Sequence, residues 1–161
     1  MHGTPPRDFP GQELAEFFRL HSLANAGKSS NQELPQDRYA FLDNKMRNWP
    51  RSKQNDPFHA ASQELAAHIR EVSGCEVMVG YNEFCAPSLD EALQSAIDKG
   101  ATKVIVATTM MTRGSGHTEK DIPVKIEEFR KHCPKIEVVY AWPFDIVQVA
   151  RFLSEHISHF A

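Results

Sequence analysis

The sequence predicts an α/β fold with a parallel sheet. Strands and helices alternate along its second half, one β-branched apolar run reads as a covered strand, and glycine and histidine fill the turn after it. The run is Val104, Ile105, Val106 and Ala107, inside the stretch Lys103 to Pro123 that reads KVIVATTMMTRGSGHTEKDIP. Apolar residues without polar alternation suit a strand covered on both faces, as parallel strands are. Thr112 to Thr118 break the pattern with two glycines. Asp121 followed by Pro123 then predicts a helix start, because Asp caps free N–H groups and Pro is tolerated in a first turn. Parallel strands joined by crossover helices give a three-layer α/β sandwich. His117 falls in the strand-to-helix loop, and in such sheets ligands bind beyond the carboxyl ends of the strands.

Taken in order, His2-Gly3-Thr4-Pro5-Pro6 is turn material with no strand before it. Leu14, Phe17, Phe18 and His21 recur at helical spacing until Asn25 to Ser30 end the pattern. A second helix is predicted from Gln36 to Asn48, with Tyr39, Leu42 and Met46 on one side and Trp49-Pro50 closing it. Arg51 to Asn55 is polar and basic and reads as an exposed loop. Asp56-Pro57 is a helix start, followed on one face by Phe58, Ala61, Leu65, Ile69 and Val72 and ended by Ser73-Gly74. Glu76 to Tyr81 reads as a strand. Ser88-Leu89-Asp90-Glu91 is a capping-box pattern opening a helix that runs through Leu93 and Ile97 to Gly100. After the Lys103 strand come a helix from Ile122 to His132, a strand from Ile136 to Trp142 and a helix from Asp145 to His159. There is no internal repeat or low-complexity segment.

At 161 residues the chain is expected to be one domain, 1–161, able to bury roughly 70% of its unfolded surface. A hydrophobic fraction of 41%, a charged fraction of 24% and a net charge of −3 describe an ordinary globular protein, with no basic excess pointing to nucleic acid. No apolar stretch approaches the roughly 20 residues that span a bilayer, and MHGTPPRDFPG lacks the apolar core of a signal peptide. The expectation is a cytoplasmic enzyme or binding protein. Cys75, Cys85 and Cys133 are odd in number and lack the short paired spacing of a zinc site, so they read as buried reduced thiols.

Three residues stand where chemistry could occur. His117 lies between Gly116 and Thr118, with glycines that let a ligand approach the backbone; the alternative is a solvated loop histidine. Glu83 closes the strand from Glu76, and its alternative is a solvent-exposed carboxylate. His2, at the chain start, is either a member of the same rim or a disordered terminus. Neutral imidazole with carboxylate suits a first-row divalent ion without selecting which. Arg7, Arg113 and Lys120 lie near the two histidine turns and could face an anionic ligand, or be ordinary surface charge. His21, His59, His68, His132, His156 and His159 fall on helices or their ends and read as structural or solvent-facing. There is no HExxH, CxxC or phosphate-binding loop.

The run PSLDEALQSAIDKGATKVIVATTMMTRGSGHTEKDIP, with a glutamate at the preceding strand end and MHGTPP at the start, resembles the small sirohydrochlorin chelatases of the CbiX and SirB type. These are class II enzymes that insert a divalent metal into a tetrapyrrole without ATP. The resemblance implies that His2 and His117 are the histidines that meet the incoming metal, Co²⁺ or Fe²⁺, which is substrate and not resident cofactor, and that no nucleotide takes part. It makes Glu83 the matching acidic residue. An imidazole can hold the ion transiently, and a neutral imidazole or carboxylate can accept the pyrrole protons. An open, partly hydrated site follows, because four closed protein ligands would trap the ion.

On the same reading the tetrapyrrole docks its apolar face near Met110 and Met111 and its acidic groups near Arg7, Arg113 and Lys120. A half-sized chain is expected to pair as a homodimer. A carrier with the same fold but no turnover is the alternative. The family's first strand should precede the HG turn, so the chain is expected to lack that strand and to hold His2 poorly. Residues 20–56 form a helical insertion, which faintly resembles the amino-terminal lobe of protoporphyrin ferrochelatases. It is a candidate lid, with Phe41, Met46 and Trp49 over the macrocycle and Arg47, Arg51 and Lys53 toward its carboxylates; the alternative is a helical hairpin whose Tyr39, Leu42 and Met46 face the core.

Overall fold

Six helices and two of the three predicted strands form, in the predicted order, in a computed structural model that describes residues 1–26 and 36–161. The chain divides into two units, Met1–Ala92 and Leu93–Ala161. The predicted helix-ending run Asn25–Ser30 lies from Gly27 onward outside the described residues, as does the part of the 20–56 insertion that spans 27–35.

In the first unit, α1 (Gly11–Ala26) and α2 (Gln36–Arg47) pack in opposite directions. Glu16 pairs with Arg38 at 2.7 Å and Glu13 with Lys45 at 2.5 Å along the seam. Phe17, Leu20, Leu42 and Met46 interlock beneath these pairs with Phe9 and Phe84, and Tyr39 and Trp49 flank them. The apolar spacing of α2 therefore faces a core. Met46 is fully buried and cannot cover a macrocycle, so for this residue the hairpin alternative holds.

The third helix, α3 (Pro57–Ser73), begins and ends where the sequence says it should. The Asp56 side chain accepts the His59 N–H, Pro57 opens the first turn, and Gly74 closes the helix in the left-handed region at φ 68°. Ala66 packs against Val79, Tyr81 and Cys85.

The segment Glu76–Tyr81 corrects the sequence reading. It carries no ladder among the described residues, only a parallel bridge of Tyr81 with Ser88. Its β-branched pattern gives it an extended path, but a strand exists only when a neighbour takes up its N–H and C=O groups. Met1 supplies one such rung. Its amino group donates to the Gly80 carbonyl at 2.7 Å and its carbonyl accepts the Asn82 N–H at 2.9 Å, the pattern of a parallel pair. The helix α4 (Leu89–Asp98) starts with the predicted capping box: Glu91 accepts the Ser88 N–H at 2.6 Å and Ser88 Oγ accepts the Glu91 N–H at 3.3 Å.

The second unit holds a two-stranded parallel sheet, β1 (Lys103–Val106) with β2 (Glu137–Tyr140), in register from Lys103 opposite Glu137 to Val106 opposite Tyr140. Between them in sequence runs α5 (Ile122–His132), whose Ile126 and Phe129 are buried, and after them α6 (Ile146–Ser158) is capped by Asp145. The parallel α/β class stands. The expectation that both faces of β1 are covered does not, because Val104 and Val106 are half-buried while Ile105 is 61% exposed. The cysteines also divide: Cys85 is buried, Cys133 partly so, and Cys75, just beyond the glycine that ends α3, is exposed.

Candidate metal-handling site

The chain brings His2 and Glu83 together. His2 Nε2 stands 3.8 Å from Glu83 Oε2, with the two side chains 48% and 26% exposed. That gap is too long for a direct hydrogen bond. It suits two donors of one first-row ion, since ligands each ~2.1 Å from a metal lie at most about 4 Å apart. The imidazole also meets the Phe84 ring edge-on, with centroids 6.0 Å apart.

The expectation that His2 is poorly held is corrected by the backbone. Besides the Met1 rung, the His2 carbonyl accepts the Glu83 N–H at 2.9 Å. Gly3 sits at φ 99°, and a Cβ there would strike the Glu83 carbonyl, so glycine alone allows this approach. Glu83 itself rides on a γ-turn: the Cys85 N–H donates to the Glu83 carbonyl at 2.8 Å across Phe84, whose φ is 60°. Positive φ in a bulky side chain is strained and must be held by its surroundings.

What holds it is a residue that polar composition had assigned to an exposed loop. Arg51 is buried, its side chain 6% exposed against 1% for Asp56, and the two pair at 2.5 Å. Its guanidinium donates further to the carbonyls of Thr4, Met46 and Phe84. Asp56 completes the knot by accepting the Thr4 hydroxyl at 2.9 Å. Arg51 is therefore unavailable to a tetrapyrrole carboxylate, contrary to the lid reading.

Beneath this turn lies a second polar group. The His59 Nδ1 is 2.8 Å from the Tyr81 hydroxyl and 3.5 Å from Cys85 Sγ. Burial holds the His59 imidazole below its ordinary value and pushes the Cys85 thiol and the Tyr81 hydroxyl up. A buried protonated thiol is inert, which agrees with the reading of Cys85 as structural.

In the second unit His117 opens a π-helical turn, His117–Asp121, in which the Ile122 N–H reaches back to the His117 carbonyl. This corrects the role given to Asp121. It is already helical, at φ −67° and ψ −48°, and makes no side-chain cap bond. Its carboxylate instead meets His117 Nδ1 at 2.6 Å. A carboxylate on one ring nitrogen fixes the tautomer and leaves ligand chemistry to Nε2. The signal was present in the sequence as a histidine and an aspartate four residues apart, neighbours on any helical turn.

The turn is anchored mainly by its own residues, with one bond from β2. Glu119 accepts the Gly114 N–H at 2.8 Å, and the buried Thr118 gives its hydroxyl to the Ser115 carbonyl while its own carbonyl accepts the Tyr140 hydroxyl at 3.1 Å. Of the predicted substrate contacts, Met110 and Met111 are half-buried, and Arg113, Lys120 and, in the first unit, Arg7 are exposed. A groove of about 370 Å³ beside α5 is lined by Pro123, Val124, Ile126, Glu127, Arg130 and Tyr140, and holds none of these. Among the described residues no three His, Cys, Asp or Glu side chains gather where they could hold a metal ion, and no helix is long and apolar enough to cross a membrane.

Imidazoles stand beside carboxylates on turns of a parallel α/β chain, and both are donor types that first-row divalent ions accept. The CbiX family model matches residues 52–158, more than half of the chain, and the chain belongs to that family. A sirohydrochlorin ferrochelatase of Priestia megaterium is 26% identical over 81 residues, covering 50% of this chain and 30% of that protein. Sirohydrochlorin cobaltochelatases of Methanopyrus kandleri and Methanococcus maripaludis are 34% and 38% identical, over 38% and 46% of this chain and 43% and 47% of theirs. The chain thus matches less than half the length of these curated relatives. A crystal structure of the sirohydrochlorin chelatase SirB from Bacillus subtilis subspecies spizizenii in complex with cobalt is similar at 24% identity and a TM-score of 0.42, over 52% of this chain and 37% of that one.

Proposed function

We propose that this chain inserts Co²⁺ or Fe²⁺ into sirohydrochlorin or a related tetrapyrrole without ATP, with the metal as substrate. The observation that carries the reading is that each candidate imidazole is paired with a carboxylate, His2 with Glu83 and His117 with Asp121. Membership in the CbiX family and likeness to proteins named as sirohydrochlorin chelatases support it. His2 and His117 act as the metal-contacting imidazoles. Glu83 shares the ion with His2 and, as the metal enters the ring, accepts one of the two pyrrole protons while the other passes to water. Asp121 keeps His117 in the tautomer that offers Nε2. With so few protein donors, water and the macrocycle supply the rest of the coordination sphere, and the ion is handed on, not trapped. Met110 and Met111 meet the apolar face, and Arg7, Arg113 and Lys120 meet the carboxylates. The chain works in the cytoplasm as a homodimer, with no nucleotide, nucleic acid or membrane.

The test is to mix protein, sirohydrochlorin and Co²⁺ and follow the absorption change over many equivalents. Multiple turnovers in the wild type, and at least a hundredfold loss in His117→Ala with unchanged circular dichroism, are expected. Stoichiometric binding without turnover would make the protein a carrier, and wild-type turnover by His117→Ala would remove that residue from the mechanism.

A further inference from the structure

We infer that Arg51 is a positioning residue that aims Glu83 at His2; the inference rests on the metal-handling reading of that pair. Four observations converge on it. The side chains of Arg51 and Asp56 are both buried and pair at 2.5 Å. Nη1 serves Asp56 Oδ2 and the Thr4 carbonyl, while Nη2 serves the carbonyls of Met46 and Phe84. Thr4 lies two residues beyond His2, and Phe84 one beyond Glu83, so one guanidinium grips both turns from behind. The Phe84 turn has φ 60°, a conformation that reverts unless something outside it holds the carbonyl in place.

Nε of Arg51 is buried without a partner, so both terminal nitrogens carry the whole load. A planar fork alone can span four acceptors in this way; a lysine ammonium keeps the charge and loses the span. Arg51 also stands just before the segment 52–158 that the CbiX family model matches. The clamp ties a residue near the chain start to the matched part of the chain.

The decisive variant is Arg51→Lys, read by nuclear magnetic resonance and by Co²⁺ titration without tetrapyrrole. Expected are loss of the Overhauser contact between the His2 and Phe84 rings and at least tenfold faster exchange of the Glu83 amide, with β1 and β2 amides unchanged. Co²⁺ should bind at least tenfold more weakly, and adding His2→Ala to that background should cost nothing more. An intact ring contact and Glu83 amide overturn the inference, and so does unchanged Co²⁺ affinity once the contact is lost, since Arg51 would then be structural only. Should Arg51→Lys fail to fold, Thr4→Val removes only the hydroxyl bond to Asp56; two- to threefold faster Glu83 exchange is expected, and an unchanged rate overturns the inference. The metal-handling reading fails separately, if His2→Ala alone leaves Co²⁺ affinity and turnover as in wild type while the resonance result on Arg51 stands.

Discussion

The two histidine turns are built by opposite means. His117 is held mostly by its own neighbourhood: its carboxylate partner is four residues on, Glu119 and Thr118 brace the same turn through Gly114 and Ser115, and one bond comes from farther off, the Tyr140 hydroxyl on the Thr118 carbonyl. His2 is held from afar. Glu83 is its partner, and the carbonyls behind the pair are gathered by Arg51 and anchored by Asp56. A local turn keeps its shape as long as its own residues remain, whereas a turn assembled from distant segments depends on a few buried polar atoms and fails when one is lost.

That contrast is broken most severely at Asp56. Asp56→Ala leaves Arg51 charged and uncompensated in the interior and uncaps α3, and is expected to destabilise the protein by about 3–5 kcal/mol. Urea unfolding checks this. Gly3→Ala comes next: strain at φ 99° and the collision with the Glu83 carbonyl are expected to cost about 2–3 kcal/mol. Its Co²⁺ affinity should fall while the exchange protection of β1 and β2 stays intact.

At the local turn the balance reverses. Asp121→Asn should change stability by only about 0.5 kcal/mol, because the His117 contact is half-exposed. Metal insertion should slow about tenfold, the usual consequence of losing an orienting carboxylate. A large stability loss with unaltered turnover would invert the contrast.

The smallest effect is on pH dependence. Burial holds the His59 imidazole below its ordinary value of 6.5, so on acidification the unfolded chain takes up a proton that the folded chain resists. Stability is full above that value and declines as pH falls toward the folded one. The melting temperature should fall as pH drops below the ordinary histidine value of 6.5, and His59→Gln, which can still bond the Tyr81 hydroxyl, should flatten the decline.

Much of the frame was legible because its signals are local. Asp56-Pro57, the Ser88–Glu91 capping box and the Ile122–His132 helix each announce themselves within a few residues, and the structure places them as read. The Glu76–Tyr81 segment misled because propensity describes a strand's own residues and says nothing of the neighbour it needs. Arg51 was read as solvent-exposed because a polar run normally is; its burial depends on carbonyls from Thr4 and Phe84 that no window of sequence contains. The convergence of Glu83 with His2 was legible from topology and resemblance. The pairing of His117 with Asp121 was open to view at helical spacing and was masked by the stronger signal of Asp before Pro.

The wide π-helical turn makes segment length a determinant of chemistry. A π turn joins a carbonyl to the N–H five residues on, where an α-helix joins it to the fourth, so deleting one residue between His117 and Asp121 would close the same turn as ordinary α-helix and leave the carboxylate three residues from the imidazole instead of four. The contact that orients the reactive nitrogen would be reset although every neighbouring helix and strand kept its sequence. Spacing between Gly116 and Pro123 therefore constrains this protein as firmly as the identity of the histidine.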